Sequence, residues 1–279
     1  MVQAQTTLSR TSSRIPGAIA VRVAAFTYLA VMLIIPLAVI VQDGLQDGPV
    51  GLWSAISRPA AWSALLLSLW TAAVMAIINA VMGTLAAYVL VRYHFPGKAL
   101  LNGIVDLPFA IPTLVTGVML VVLYGPQRAL GAWLDQTLGI KIVFAPPGII
   151  LALLFVTFPF VVRTVQPVLQ SLDREQEEAA ATIGASAWTT FRRVVLPPLA
   201  MPVASGALLS FARAIGEFGA IVVVAGNIPL RTQTAAVYVF GEVESENRRA
   251  ASAMSLVMLA IAFGLVVLVD WLQRRRDVG

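Results

Sequence analysis

The fold is decided by Glu178-Ala-Ala-Ala-Thr-Ile-Gly184 together with Val194-Val-Leu-Pro197, which follows after nine intervening residues. This stretch predicts a short helix, a turn at a glycine and a second helix, and it lies between two long apolar segments. A chain embedded in lipid has little reason to keep so polar an element unless something outside the bilayer binds it. The stretch therefore predicts a membrane subunit driven by a partner, and not a self-sufficient pore or enzyme.

The composition indicates a protein whose solvent is mostly lipid. Of the 279 residues, 59% are hydrophobic and only 12% are charged, which is unlike an ordinary globular domain. The chain has no Cys and a single His, His94. This excludes disulfides and Cys nucleophiles and argues against a histidine metal cluster or a Ser-His-Asp triad. The net charge of +5 is typical of basic loops in membrane proteins, so no nucleic-acid partner is expected.

Six apolar segments predict an all-α integral membrane protein with six transmembrane helices, because each crossing needs about 20 apolar residues. The segments are 23–41, 62–92, 99–124, 147–168, 199–225 and 250–272. We expect a disordered cytoplasmic tail at 1–18, a single transmembrane domain at 19–275 and a short cytoplasmic tail at 276–279. Prolines inside the spans predict kinks, and they are Pro36, Pro108, Pro112, Pro159, Pro167 and Pro202.

The distribution of Lys and Arg predicts the orientation in the membrane. With the N-terminus inside, the inner segments carry eleven of these residues and the outer segments carry six. Because positively charged loops stay on the cytoplasmic side, both termini are expected in the cytoplasm. The segment 171–198 then faces the cytoplasm, and the loops at 126–146 and 226–249 face outward.

The polar stretch has the local features of a docking element. Helical spacing places Glu178 and Thr182 on one side of a short helix, beside small alanines that allow close approach to another surface. Gly184 permits the turn that ends this helix, and Ser186 can cap the next helix. We expect Leu196-Pro197-Pro198 to stop that second helix and to begin the next span. Spacing alone leaves open an amphipathic helix that rests on the lipid headgroups.

The pattern resembles the EAA signature of bacterial ATP-binding cassette importer permeases. The matching positions are Glu178, Ala179, Ala180, Gly184, Val194, Leu196 and Pro197, with Val194 in place of the usual Ile. In that family the segment is the coupling helix, which is seated in a groove of the ATPase subunit. The resemblance implies a type I importer permease fold with a cytoplasmic coupling helix. It also implies that Glu178 makes polar contacts with the ATPase and that Gly184 shapes the turn.

Other stretches resemble the sulfate/molybdate branch of that family. They are Arg92-Tyr-His-Phe-Pro-Gly-Lys98, Asp106-Leu-Pro-Phe-Ala-Ile-Pro-Thr113, Phe158-Pro-Phe-Val-Val-Arg-Thr-Val-Gln-Pro167 and Gly216-Glu-Phe-Gly-Ala220. A further stretch, Gly226-Asn-Ile-Pro-Leu-Arg-Thr232, is similar to the T-type sulfate/thiosulfate permeases and differs from their W-type companions.

The resemblance implies a sulfate/thiosulfate importer subunit in the bacterial inner membrane. Its implied partners are a related W-type permease, an ATPase dimer that binds ATP and Mg, and a periplasmic sulfate-binding protein. The chain has no G-x-x-x-x-G-K-[ST] phosphate loop, so we expect no catalytic residue, no cofactor and no metal in this subunit. Three alternatives stay open: a homodimeric molybdate or tungstate permease, a secondary transporter without an ATPase, and a membrane enzyme, for which no convincing catalytic cluster exists.

Four ionisable residues are expected at membrane depth: Asp106, Arg163, Arg213 and Glu217. Such charges are costly in lipid and are therefore candidates for function. Arg213 and Glu217 are four residues apart, so they share a helix face and can pair. Either this pair only joins spans, or Arg213 or Arg163 lines an anion path in which Glu217 prevents overly tight binding. Asp106 is expected to make a helix–helix or interfacial contact, because a bare carboxylate would repel an oxyanion.

The fifth apolar segment is dense in small residues between Ala204 and Ala220. Small residues let helix backbones approach closely, either for packing within the subunit or along a central path between two subunits. Gly216 and Gly219, on either side of Glu217, predict a flexible or broken helix at that point. The resemblance favours the second interpretation, because this span contributes to the pathway in related permeases.

The outer loops offer candidate docking residues. Helical spacing of apolar residues within 126–138 predicts a short interfacial helix. In the resembling family the outward face receives a solute-binding protein, which makes four charged residues candidates for that contact: Arg128, Asp135, Arg231 and Glu242. The run 242–249 is expected to be a solvated loop.

Overall fold

The structure is a computed structural model that describes residues 18–274, with the side chains of residues 19–271. The predicted tails at 1–18 and 276–279 lie outside these residues, except for Ala18, which begins the first helix. The helices are α1 Ala18–Leu29, α2 Ile35–Gly44, α3 Gly48–Ile56, α4 Pro59–Arg92, α5 Lys98–Ala110, α6 Thr113–Tyr124, α7 Ala129–Leu138, α8 Pro146–Ser171, α9 Arg174–Thr182, α10 Ala187–Thr190, α11 Leu196–Ile215, α12 Gly219–Val224, α13 Ala235–Glu244 and α14 Arg248–Arg274. Two π-helical segments, Ala30–Ile34 and Phe191–Val195, join α1 to α2 and α10 to α11.

The apolar helices account for the membrane crossings. Within residues 18–274, five helices are long and apolar enough to cross a bilayer, and there are six crossings when α5 and α6 count as one bent span. Every regular element among these residues is helical. The predicted fold class, an all-α membrane protein, is confirmed. The predicted segments 23–41, 62–92, 147–168 and 250–272 each lie within one of these long helices.

The third predicted span, 99–124, is built from two helices, and the kink predicted from its prolines is a sharp bend between them. The helices α5 and α6 meet at an angle of 111°. Ile111 and Pro112 have extended backbones between them. A proline disfavours the helical conformation for the residue before it, which explains why the helix ends at this point.

The helix at the fifth predicted span, 199–225, begins and ends earlier in the structure than the sequence predicted. A continuous helix runs from Ala187 to Ile215, so the expected stop at Leu196-Pro197-Pro198 was wrong. The π-helical segment Phe191–Val195 lies directly before these prolines. A proline ring clashes with the carbonyl four residues earlier in an α-helix. The wider π turn relieves that clash, so the helix continues.

The core is built by α4, α8 and α11, which pack against one another. Close approach depends on glycine, because a Cβ on Gly206 of α11 would lie 2.3 Å from Thr164 Oγ1 of α8. The buried Asn79 of α4 donates a hydrogen bond to Thr157 Oγ1 of α8 over 2.9 Å. The middle of α4 is therefore fixed to the middle of α8. Since α7 precedes α8 and α9 follows it, we refer to the α7 end and the α9 end of this bundle.

The first crossing is attached differently from the core helices. Nearly all side chains of Ile19–Gly44 are exposed. Its α2 half packs against α14, where a Cβ on Gly44 would lie 3.1 Å from the carbonyl oxygen of Ser252. The first and last crossings of the chain are thus neighbours.

Candidate functional site

The helix α9 is a polar element at the α9 end of the bundle. Asp173 caps the helix, since its carboxylate accepts a hydrogen bond of 3.0 Å from the backbone N–H of Glu175. None of the residues of α9 is buried. Glu178 and Ala179 are exposed, and Ala180 is partly exposed. The first residues of the EAA pattern, Glu178 and Ala179, therefore lie on an exposed face of the helix.

Gly184 forms the turn that ends α9. Its φ of +84° lies in the left-handed region, where a residue with a Cβ is strained. The N–H of Gly184 donates to the carbonyl of Ala181, and the N–H of Ala185 donates to the carbonyl of Ala180, each over 3.0 Å. These two bonds form a Schellman motif, the common glycine-dependent end of a helix. The turn has the geometry that the sequence predicted.

Two large apolar side chains stand exposed beside this turn. Ile183 is 85% exposed and Trp188 is 68% exposed. Ser186 caps α10, as predicted, by accepting a hydrogen bond of 3.3 Å from the N–H of Thr189. The Ile183 and Trp188 side chains therefore offer apolar area beside the polar residues of α9. We call α9 with Ile183, Gly184 and Trp188 the α9 surface. Ile183 was not predicted from the sequence, although an aliphatic residue in a polar turn is a signal that could have identified it.

Arg163 of α8 and Asp106 of α5 form an ion pair that was not predicted from the sequence. Nε of Arg163 donates to Asp106 Oδ1 over 2.7 Å, and Nη2 donates to Asp106 Oδ2. The remaining N–H groups donate to Asn102 Oδ1, to the carbonyl of Asn102 and to Gln166 Oε1. A guanidinium has five N–H donors, and all five are used. In this arrangement Arg163 fastens two helices together and has no donor left for an anion.

Arg213, near the end of α11, and Glu217, just after that helix, form a second ion pair. Nη1 of Arg213 lies 2.9 Å from Glu217 Oε2, with 39% of the Arg213 side chain exposed and 2% of that of Glu217. Glu217 Oε1 also accepts a hydrogen bond of 3.0 Å from the N–H of Ala220, at the start of α12. The buried carboxylate is thus held on both sides. Glu217 is the only hydrogen-bond or ion-pair partner of Arg213 among the described residues.

The glycines around Glu217 lie at a real break in the helix. The helix α11 ends at Ile215, and α12 begins at Gly219. A Cβ on Gly219 would lie 2.4 Å from Thr113 Oγ1, whereas Gly216 has open space beside it. Because Thr113 is the first residue of α6, the break in the fifth crossing lies against the bend in the third. The structure thus brings Gly216, Glu217 and Gly219 to a place where two interrupted helices meet.

A cavity between four of the helices is apolar. It measures about 590 Å³ and lies between α4, α5, α6 and α8. Its lining is mostly aliphatic and aromatic, with Asn79, Thr116 and Tyr124 as the polar exceptions. An oxyanion in this space would lose its hydration and gain few hydrogen bonds in return. The cavity is therefore unsuited to a charged solute, and the charges at the broken helices lie outside it.

The outer candidates lie towards the α7 end. Arg128 is the residue before α7 and Asp135 is on it, which agrees with the predicted short helix in that region. Arg231 is exposed in the segment before α13. Glu242 lies on α13 and accepts a hydrogen bond from Asn247. The run 242–249 was expected to be a solvated loop; most of it is exposed, but only 245–247 lie outside helices, because α13 extends to Glu244 and α14 begins at Arg248. Those helices pack against each other.

These features define a class of protein: a helical, multi-pass membrane protein with an exposed polar helix and turn at one end and paired charges where two spans are interrupted. Residues 79–278 match the family model of the binding-protein-dependent transport system inner membrane component. The chain belongs to this family, and the resemblance inferred from its motifs is confirmed.

Individual relatives give a narrower comparison. The chain is 44% identical over 246 residues to the probable sulfate transport system permease protein cysT of Nephroselmis olivacea, which covers 88% of this chain and 86% of that protein. It is 40% identical over 248 residues to the sulfate transport system permease protein CysT of Escherichia coli K12, which covers 89% of each chain. The crystal structure of a bacterial alginate ABC transporter with its alginate pentasaccharide-bound periplasmic protein shares the fold, with a TM-score of 0.75, 15% identity and coverage of 92% and 93%.

Proposed function

We propose that this chain is the T-type permease subunit of an ATP-driven importer that moves sulfate or thiosulfate into the cytoplasm. Its partners are a separate ATPase dimer that binds ATP and Mg, a W-type permease, and a periplasmic sulfate-binding protein. The complex lies in the bacterial inner membrane, with both termini and the α9 end of this subunit in the cytoplasm. The observation that carries the proposal is the exposed α9 surface, which has the EAA pattern in a chain closely related to proteins named sulfate transport permeases.

The α9 surface has the chemistry of a docking element. Glu178 offers a charged hydrogen-bond acceptor, while Ile183 and Trp188 offer apolar area that a partner can bury. Gly184 holds these groups in one rigid turn. Closure of the ATPase dimer on ATP moves this turn, the attached spans open the path outward, and hydrolysis resets them.

The two arginines differ in their ability to attract an anion, and this difference suggests where the anion path lies. Arg163 has donated all its N–H groups to the protein, whereas Arg213 is 39% exposed and has one partner. Two unit charges 4 Å apart attract by about 4 kcal/mol at an effective dielectric constant of roughly 20. Arg213 therefore attracts a passing dianion, while the buried Glu217 offsets part of this attraction and prevents a trap. The interrupted helices beside the pair supply the mobility that a gated path needs.

The first test examines coupling. The permeases are co-expressed with candidate ATPase subunits, and Gly184→Val is compared with Gly139→Val. Both glycines have a positive φ and open space at the Cβ position, but Gly139 ends α7 at the opposite end of the bundle. We expect the ATPase to co-purify with the wild type and the Gly139 variant and to be lost from the Gly184 variant. Active transport by a Gly184 variant that never binds an ATPase would refute the coupling and favour a secondary transporter.

The second test examines the substrate and the path. Vesicles with the whole complex should take up labelled sulfate against an excess of molybdate, and inhibition by molybdate at low concentration would instead indicate a homodimeric molybdate or tungstate permease. Arg213→Gln combined with Glu217→Gln, which leaves no buried carboxylate without its counter-charge, should keep the folded yield normal and abolish uptake. A lost yield would show that the Arg213–Glu217 pair only fastens the spans.

A further inference from the structure

Arg92 connects three helices at the α9 end of the bundle. It is the last residue of α4. Its Nη2 lies 2.6 Å from Glu177 Oε1 of α9 and donates a hydrogen bond of 3.2 Å to the carbonyl of Leu172, where α8 ends. Only 8% of the Arg92 side chain and 18% of the Glu177 side chain are exposed. The docking helix is therefore attached to α4 directly, as well as to α8 through the chain.

Stability alone does not explain this arrangement. A basic residue at the end of α4 is favourable beside the helix carbonyls, but that effect needs no partner on α9. Withdrawing both charges from water costs free energy that can exceed the attraction between them. Nε of Arg92 is also buried without a hydrogen-bond partner among the described residues. We therefore look for a role of the Arg92–Glu177 pair in holding α9 at a fixed position relative to α4.

An aromatic contact runs parallel to the ion pair. Trp188, in the α9 surface, stacks on Phe191 with ring centres 5.8 Å apart. Phe191 in turn packs edge-on against Tyr88 of α4 at 5.2 Å. Tyr88 is one helical turn before Arg92. Both contacts from the docking region therefore end on the last turn of the same helix.

The helix α4 is suited to carry movement into the membrane. With 34 residues it is about 51 Å long, which exceeds the thickness of the hydrocarbon core. Near its middle Asn79 is bonded to Thr157 of α8, and a Cβ on Gly83 would lie 2.8 Å from Val161 Cβ. A displacement applied at the α9 end is thus passed to both α4 and α8.

We infer that Arg92 and Glu177 are positioning residues that make α9 and α4 move together. The inference rests on the proposed function, which supplies the ATPase that moves α9. When the pair is broken, α9 still carries Glu178, Ile183 and Gly184 and still binds the ATPase. Its movement is then taken up between α9 and α4, so ATP is hydrolysed with less solute transported.

The test uses the whole complex in vesicles with the binding protein. The variants are Arg92→Gln, Glu177→Gln and the charge reversal Arg92→Glu with Glu177→Arg. Lys98→Gln is the matched control, because it removes a partly exposed positive charge at the same end, and the carbonyl of Tyr93 is the one hydrogen-bond partner of its Nζ among the described residues. Three quantities are measured: bound ATPase, ATP turnover, and labelled sulfate transported per ATP.

We expect each single variant to retain the ATPase and to lose at least about fivefold in sulfate transported per ATP, which is the lower range of ordinary coupling between sites. The charge reversal should recover most of that ratio, and Lys98→Gln should match the wild type. A normal ratio in both single variants would overturn the inference. So would a reversal that is no better than the single variants, or single variants that lose folded yield while the surviving protein couples normally. Failure of the wild type itself to bind an ATPase refutes the proposed function instead, and the inference falls with it.

Discussion

Removing the charge of Arg163 should destabilise the subunit, and removing the charge of Asp106 as well should restore most of the loss. A hydrogen bond to a charged group contributes about 1.5–3 kcal/mol, and Arg163→Gln takes two of them from Asp106. Because 49% of the Asp106 side chain is exposed, hydrogen bonds to water replace part of the two that Asp106 loses. We therefore expect the free energy of unfolding to fall by about 2–3 kcal/mol. At roughly 2–4 °C per kcal/mol, Tm falls by about 4–12 °C. With Asp106→Asn added, no charge is left unpaired, and the loss shrinks to about 1 kcal/mol.

The assay is thermal unfolding of the purified complex in detergent, paired with sulfate uptake in vesicles. Arg249→Gln is the control, since Arg249 forms an exposed ion pair with Asp47 and such pairs contribute little. Because every N–H of Arg163 is bonded within the subunit, the double variant should transport at close to the wild-type rate. A double variant with restored Tm but no transport would refute this reasoning, since Arg163 would then have to contact the anion.

Two other perturbations follow from the packing and from one tyrosine. Gly206→Ala should lower Tm by the equivalent of about 1–3 kcal/mol, because the added Cβ would lie 2.3 Å from Thr164 Oγ1. Gly264→Ala in α14, which has open space at the Cβ position, should be neutral or slightly stabilising. Equal Tm values for the two variants would contradict the close packing of α11 on α8. Burial and the nearby Glu242 carboxylate raise the pKa of Tyr238 from 10.0 to about 12, so the contribution of Tyr238 to stability is complete below pH 10 and is lost as the pH rises through about 12. Across that interval the Tm of the wild type should fall more steeply than the Tm of Tyr238→Phe. Parallel curves of Tm against pH would exclude a contribution from the raised pKa of Tyr238.

Local sequence chemistry predicted the local structure well. The turn at Gly184 and the cap at Ser186 depend on neighbours within five residues, and both occur in the structure. The interruption between Ile215 and Gly219 follows in the same way from two glycines that flank a charge. These features are encoded in short stretches, so no knowledge of the packing was needed.

The contacts between distant segments were not predictable in this way. Arg163 pairs with Asp106 across 57 residues, and Arg92 meets Glu177 of a different helix. Such pairs depend on the rotation and depth of two helices, which hydropathy does not set. Prolines were equally ambiguous: Pro112 lies at a sharp bend, whereas Pro202 lies inside a continuous helix. The difference depends on what packs around each proline, since neighbouring helices can satisfy the freed backbone groups.

The attachment of α2 to α14 has a consequence for biosynthesis. The first crossing leaves the ribosome early, yet the surface it packs against in its own chain begins at Arg248, about 200 residues later. At roughly 5–20 residues per second, translation takes on the order of ten to forty seconds to supply it. During that time the early crossing is held by lipid or by insertion factors alone. A nascent chain that stops before α14 therefore leaves its first crossing without its native neighbour, a defect that membrane quality control can recognise.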